Sequence, residues 1–328
     1  MKNSFFDSTT WIWTRRFLLL GLTIVATTLI SSPKFKPRTV ENCLEAIGSL
    51  DSLAPGLHPF FSPGTDFELM GSPKTGEWLS QFPEKGQSFD SYQRAGFNRF
   101  APPRNRLYIQ PLGEFASGTG QLELLREYTE IYFAAPTVLL PTESTASPSF
   151  RTRINRQTGN LQLKTDDILE WLKQRVPEDA YCLIAVTPTD LYPEDSWNFV
   201  FGQATLVERV GVFSFCRYDP AFYGEKRGAD VDRLMLRRSC KVLTHEIGHM
   251  YGLHHCVYYK CLMSGSNHLH ESDSRPMHEC PVCLRKFWAN IGFNPADRYR
   301  ALEAFYRKTG LINEAEWVNR RLKTCTGQ

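Results

Sequence analysis

Apolar residues recur along this chain at two spacings, and each predicts a different element. Arg106–Leu112 and Tyr181–Val186 are short runs rich in β-branched and large apolar residues, so strands are predicted there, the second of them buried. Phe199–Ala204 and Val210–Tyr218 predict two further extended runs, and Ile131–Leu140 another after a helix from Gly118 to Thr129. Asn155–Leu163 predicts a hairpin turning at Gln157-Thr158-Gly159-Asn160, while Asp190-Leu191-Tyr192-Pro193 predicts a turn out of the buried strand. The helical spacing is clearest in three places. Thr165 is positioned to cap a helix with Asp166 and Asp167 in its first turn and Ile168, Leu169, Leu172 and Val176 along one face. Val231–Tyr251 predicts a long helix with Leu234, Met235, Val242, Leu243 and Met250 as its apolar face. Leu284, Phe287, Trp288 and Ile291 form the stripe of a third, which is core. Asn294-Pro295 opens a further helix that Gly310 closes, and Asn313 with Glu316 is expected to cap a last one. Strands alternating with helices make a mixed α/β fold.

The N-terminal third breaks this rhythm. Residues 33–105 carry breakers such as Ser62-Pro63-Gly64 and Gly71-Ser72-Pro73, with only short helical patterns at Thr39–Ser49 and Thr75–Gln81. The chain is therefore expected to divide into a hydrophobic segment at 1–32, a loop-rich extension at 33–105 that wraps or packs beside the core, and a main domain at 106–328. Phe17–Ile30 follows Arg15-Arg16 and is mostly apolar, yet falls short of the roughly 20 residues that a membrane-spanning helix needs. A weak anchor, a local helix and a cleaved signal all fit it, so membrane association through residues 17–30 is an alternative to a freely diffusing protein.

Composition changes the picture little. A chain of 328 residues with 42% hydrophobic and 22% charged residues is ordinary globular usage. Net charge +3 without basic clusters gives no reason to expect nucleic acid as a partner.

The chemistry is concentrated between Thr244 and Cys283. His245-Glu246-Ile247-Gly248-His249 has the form H-E-x-x-H, and Gly252 and His255 extend it to H-E-x-x-H-x-x-G-x-x-H. On a helix the first two histidines stand one turn apart on one face and can grip one metal ion, with Glu246 beside them. Gly252 permits the turn that brings His255 back to the same ion, and the spacing to Gly252 favours His255 over the adjacent His254. Three nitrogen ligands leave a fourth position open, as in a catalytic zinc, and Glu246 is then the general base of a hydrolysis. Cys256-x4-Cys261 and Cys280-Pro281-Val282-Cys283 are two close pairs with the spacing of a structural zinc; two disulfides are the other reading. Of the nine cysteines, the five others are scattered, which suggests thiols in a reducing compartment, cytoplasmic or nuclear. Asp190 and Asp195 are expected to be turn-forming carboxylates, and Tyr218 and Tyr223 have nothing beyond their place upstream of the helix to make them oxyanion donors.

The run from His245 through Cys256, Cys261 and Met263 to Cys280 and Cys283 resembles the archaemetzincin family of metzincin-clan zinc metallopeptidases. Looser resemblance extends through Leu107–Gly113, Asp190–Pro193 and Asn198–Gly202 over much of residues 75–310. The resemblance implies a zincin-like fold with a mixed β-sheet, an active-site helix and a helical C-terminal part. It also implies two zinc ions per chain, with His245, His249 and His255 on the catalytic one and Cys256, Cys261, Cys280 and Cys283 on the structural one. Met263 would be the methionine of the Met-turn beneath the metal. The expected function is peptide hydrolysis on peptide or protein substrates, aminopeptidase-like by the family's leaning. The alternative is a catalytically silent, zinc-stabilised binding protein. A knuckle-type adaptor is a third class, and it would need Lys260, Arg275, Arg285 and Lys286 exposed around the cysteines.

Overall fold

The computed structural model describes residues 34–115, 120–146 and 150–327; the expectation for Phe17–Ile30 lies outside them. Five strands form the main sheet, in the order β2-β1-β5-β8-β7. These are β1 (Arg106–Pro111), β2 (Thr137–Leu139), β5 (Ala180–Thr187), β7 (Gly202–Ala204) and β8 (Val210–Ser214). All pair in parallel except β7, which lies antiparallel on β8 and whose other edge pairs with no strand among the described residues. A smaller sheet joins β3 (Thr152–Ile154), β4 (Leu161–Lys164) and β6 (Asp190–Tyr192).

The two faces of the main sheet explain the pattern of β5, every residue of which is buried. Cys182, Ile184 and Val186 point into the larger core together with Leu107, Ile109 and Phe213. Leu183 and Ala185 point the other way, into a second core with Tyr108, Val210, Val212 and the Ile168, Leu169 and Leu172 stripe of α6 (Thr165–Lys173). A strand covered on both faces has no polar side to show, so its sequence is continuously apolar rather than alternating.

The large core packs α5 (Gly120–Phe133), α7 (Val231–Met250), α9 (Pro281–Ile291), α10 (Pro295–Lys308) and α11 (Ile312–Thr326) against the sheet. α8 (Leu269–Ser274) is a short turn of helix between α7 and α9. The N-terminal segment contributes α1 (Val40–Ile47), α2 (His58–Phe61), α3 (Trp78–Gln81) and α4 (Phe89–Ala95). Buried cations fasten this segment down. Arg285 donates to the carbonyls of Ile47 and Ser49, Lys286 to that of Gln87, and Arg321 to those of Pro59, Phe60 and Ser62. Residues Phe35–Gln328 consequently form one compact unit.

Several local expectations are corrected. α5 runs on to Phe133, so only Thr137–Leu139 of the segment 131–140 is strand; the apolar and aromatic content there serves helix packing. Asp190–Tyr192 is a strand, and Asp190 is no turn residue: its buried carboxylate takes two bonds from Arg217, at 2.7 and 2.8 Å, and one from Gln162 at 2.8 Å. β8 stops at Ser214 because Cys216–Tyr218 turns into a 3-10 helix. Lys164, not Thr165, is the N-cap of α6, and Asn313 lies inside α11, whose N-cap is Leu311. Of the predicted stripe of α7, Val242, Leu243 and Met250 are buried, and Leu236, Cys240 and Ile247 complete the buried face. Leu234 and Met235 are only half-buried.

Candidate metal centres

α7 ends where Gly252 adopts φ +83°, a left-handed conformation, and Phe97 fills the space where a side chain on Gly252 would stand. The chain reverses there, and His255 returns to face His245 and His249. One ring nitrogen from each of the three lies within 4.8 Å of the others. His254 is exposed and outside this group.

Each imidazole is fixed by the bond that its Nδ1–H donates. His245 bonds the carbonyl of Leu262 at 3.0 Å, His249 that of Leu253 at 2.7 Å, and His255 the carboxylate of Glu84 at 2.9 Å. A ring that donates from Nδ1 presents a lone pair at Nε2, the form a metal requires. The Nε2 atoms of His245 and His249 are 3.1 Å apart. Two nitrogens on one tetrahedral zinc would be separated by about 3.3 Å, so the spacing fits a shared ion. Burial holds His245 neutral, with its pKa pushed down to about 3, and depresses His249 in the same direction.

Glu246 follows His245 and turns toward the sheet. It is buried against Gly202 at the start of β7, where a Cβ would come within 2.7 Å of its Oε1. Only glycine leaves room for the carboxylate there. Burial pushes the Glu246 carboxyl up to about 8, and a cation held by the neighbouring imidazoles would draw it back down. Beneath the helix, Met263 is fully buried, with its sulfur against Gly248.

The four cysteines Cys256, Cys261, Cys280 and Cys283 form a second cluster, wholly buried. The Cys256 and Cys280 sulfurs are 3.5 Å apart, too far for a disulfide bond of about 2.05 Å and close to the roughly 3.8 Å edge of a zinc–thiolate tetrahedron. The backbone N–H of Cys280 donates to the Cys261 sulfur at 3.3 Å. Next to it, Glu279 is buried and paired with Arg298 at 2.6 Å, which ties this loop to α10.

Sequence reasoning missed Glu84 and Gly202. Glu84 sits in the N-terminal segment with no motif around it, and only the fold reveals that it also accepts the Trp78 indole N–H at 2.7 Å. Of the cations around the knuckle, Arg275, Arg285 and Lys286 are buried, which removes the basic surface that an adaptor would need. Tyr218 is buried with its ring stacked on Phe201 at 6.0 Å, and its hydroxyl has no partner among the described residues; Tyr223 is exposed. No helix among the described residues is long and apolar enough to cross a membrane.

Residues 154–288 match Peptidase family M54. Archaemetzincin-2 of Mus musculus is 41% identical over 271 residues, which cover 74% of this chain and 76% of that protein. Archaemetzincin-1 of Mus musculus is 34% identical over 260 residues, covering 70% of this chain and 52% of the relative. Among solved structures, archaemetzincin from Archaeoglobus fulgidus aligns at 29% identity with a TM-score of 0.44, over 55% of this chain and 99% of its own.

Proposed function

This chain belongs to the archaemetzincin family and is a zinc metallopeptidase, and from that premise we propose that His245, His249 and His255 hold the catalytic zinc and that Glu246 is the general base. The observation that carries this reading is the convergence of three imidazoles whose Nδ1 atoms are all engaged, beside a buried carboxylate. When bound, zinc supplies Lewis acidity toward the scissile carbonyl and acidifies water. Glu246 accepts the proton that the attacking water sheds and delivers it to the departing amine nitrogen. The outer edge of β7 starts at Gly202, beside Glu246, and offers backbone N–H and C=O groups to an extended peptide.

The reading extends to a second, structural zinc on Cys256, Cys261, Cys280 and Cys283, giving two ions per chain. Four buried sulfurs gathered within 4.8 Å of one another suit a closed site. Residues 106–328 form the catalytic domain in this scheme, with 33–105 as an extension laid over it and Met263 as the methionine under the metal. All nine cysteines are free, in keeping with a cytoplasmic or nuclear catalytic domain. Trimming from the amino end is the preference that the family resemblance carries.

The test is Glu246→Gln, which keeps the size of the side chain and removes the base. Hydrolysis of a peptide library should fall by roughly 10²–10⁴-fold while zinc content and melting temperature hold. Loss of zinc or stability would make Glu246 structural, and unchanged hydrolysis would mean that Glu246 is not the base.

A further inference from the structure

Among the large apolar side chains exposed in the described residues, three are aromatic: Phe82 at 36% exposure, Trp197 at 37% and Tyr223 at 46%. Two of these stand together. Phe82 comes from the N-terminal segment and Trp197 from the loop before β7, and their rings stack with centroids 6.0 Å apart and planes 10° apart. Phe82 in turn lies against Trp78 at 4.6 Å, and Trp78 lies edge-on to His255 at 4.9 Å. A row of rings therefore runs out from the histidine cluster and ends in two that face solvent. Apolar side chains exposed singly are ordinary, whereas a contiguous group that continues a metal centre marks a binding surface.

Every ring in the row is carried on fixed backbone. The Trp78 backbone N–H donates to the buried Glu271 carboxylate at 3.1 Å, and its indole N–H donates to Glu84 at 2.7 Å. The indole lies over Gly265, where a Cβ would come within 2.6 Å of it. The Phe82 backbone N–H donates to the Trp78 carbonyl at 2.7 Å. Trp197 sits on a loop gripped from the β3–β4 hairpin: Arg153 donates to the carbonyls of Asp195, Trp197 and Asn198, and the Trp197 N–H bonds the Glu194 carbonyl at 3.0 Å. The surface is formed before a ligand arrives, so little ordering entropy opposes contact with it.

We propose that Phe82 and Trp197 form an apolar subsite that receives a large hydrophobic side chain of the substrate, one or two residues from the bond that is cut. The proposal rests on the peptidase reading above. An extended peptide advances about 3.3 Å per residue, so rings that begin against a metal ligand lie within reach of side chains close to the scissile bond. A ring or branched aliphatic chain laid on this pair removes apolar surface of both partners from water, whereas Ala or Ser leaves most of it wet. The loop that carries Trp197 also holds the exposed carboxylates of Glu194 and Asp195, which makes a cationic side chain the competing occupant.

The test uses the full chain loaded with zinc and a linear peptide selected from the library digest. Each of the two residues on either side of the cleaved bond is replaced in turn by Phe, Leu, Ala, Ser and Lys. At one of these positions kcat/KM should be at least about tenfold higher for Phe and Leu than for Ala and Ser. Phe82→Ala and Trp197→Ala, singly and together, should lower that ratio, the double variant to within about threefold of one, while the ratios at the other positions hold. Trp197→Phe keeps a ring on the surface and should retain the preference. Zinc content and melting temperature identify the folded variants. A wild type with no apolar preference at any of these positions would overturn the subsite and leave the peptidase reading standing, as would folded variants that keep the full ratio. Preference for Lys over Phe would assign recognition to Glu194 and Asp195 and overturn the apolar subsite. No cleavage of any peptide would overturn the peptidase reading, and the subsite with it.

Discussion

The histidine and cysteine clusters are neighbours in sequence and are built on opposite principles. The three histidines are half-buried, and each is oriented by an acceptor from a different part of the chain: the loop at Leu262, the turn at Leu253 and the N-terminal Glu84. The four cysteines are wholly buried and face one another, with a backbone N–H pointing at sulfur. A cluster that must exchange ligands needs an open side and external props, because the ion alone cannot hold it in shape. A cluster that only cross-links needs neither, since its ligands saturate the ion.

The sharpest break of this contrast is to remove one ligand from each cluster. Cys280→Ser should strand buried thiols in a site whose metal binding is folding free energy, and lower the melting temperature by on the order of 10 °C. His249→Ala should abolish hydrolysis and metal binding at the open cluster while the melt moves by only a few degrees, about 2–4 °C per kcal/mol lost. Thermal melts paired with zinc analysis decide it; equal destabilisation by the two variants would erase the distinction. A smaller effect is expected at the prop. Glu84→Gln keeps an acceptor for His255 but removes its charge, so zinc affinity at the open cluster should weaken by roughly 10–100-fold, with the cysteine-bound zinc retained. Competition with a chelator measures this, and an unchanged affinity would mean that Glu84 does not support the ligand. The smallest effect is at Met263, which lies between the clusters in sequence and under Gly248 in space. Met263→Leu conserves volume and should cost less than about 1.5 kcal/mol, with both zinc ions kept. Loss of hydrolysis at full zinc occupancy would assign the sulfur a part beyond packing.

The sequence by itself determined the features whose cause is local. The spacing of His245 and His249 follows from helix geometry alone, Gly252 from the need for a left-handed turn, and the apolar run of β5 from burial on both faces. The family followed from the same short stretch, because the motif and the cysteine pairs fall within one run of chain. What only the tertiary structure decided are the pairings between distant segments. Asp190 reads as a turn residue from its neighbours but is paired with Arg217, α5 continues past Thr129 to Phe133, and Leu236, Cys240 and Ile247 rather than Leu234 and Met235 complete the buried face of α7. Glu84, Gly202, Phe82 and Trp197 carry no periodic or motif signal. Each acquires a role from what the fold lays beside it, and such contacts depend on packing free energy summed over the whole core rather than on any spacing along the chain.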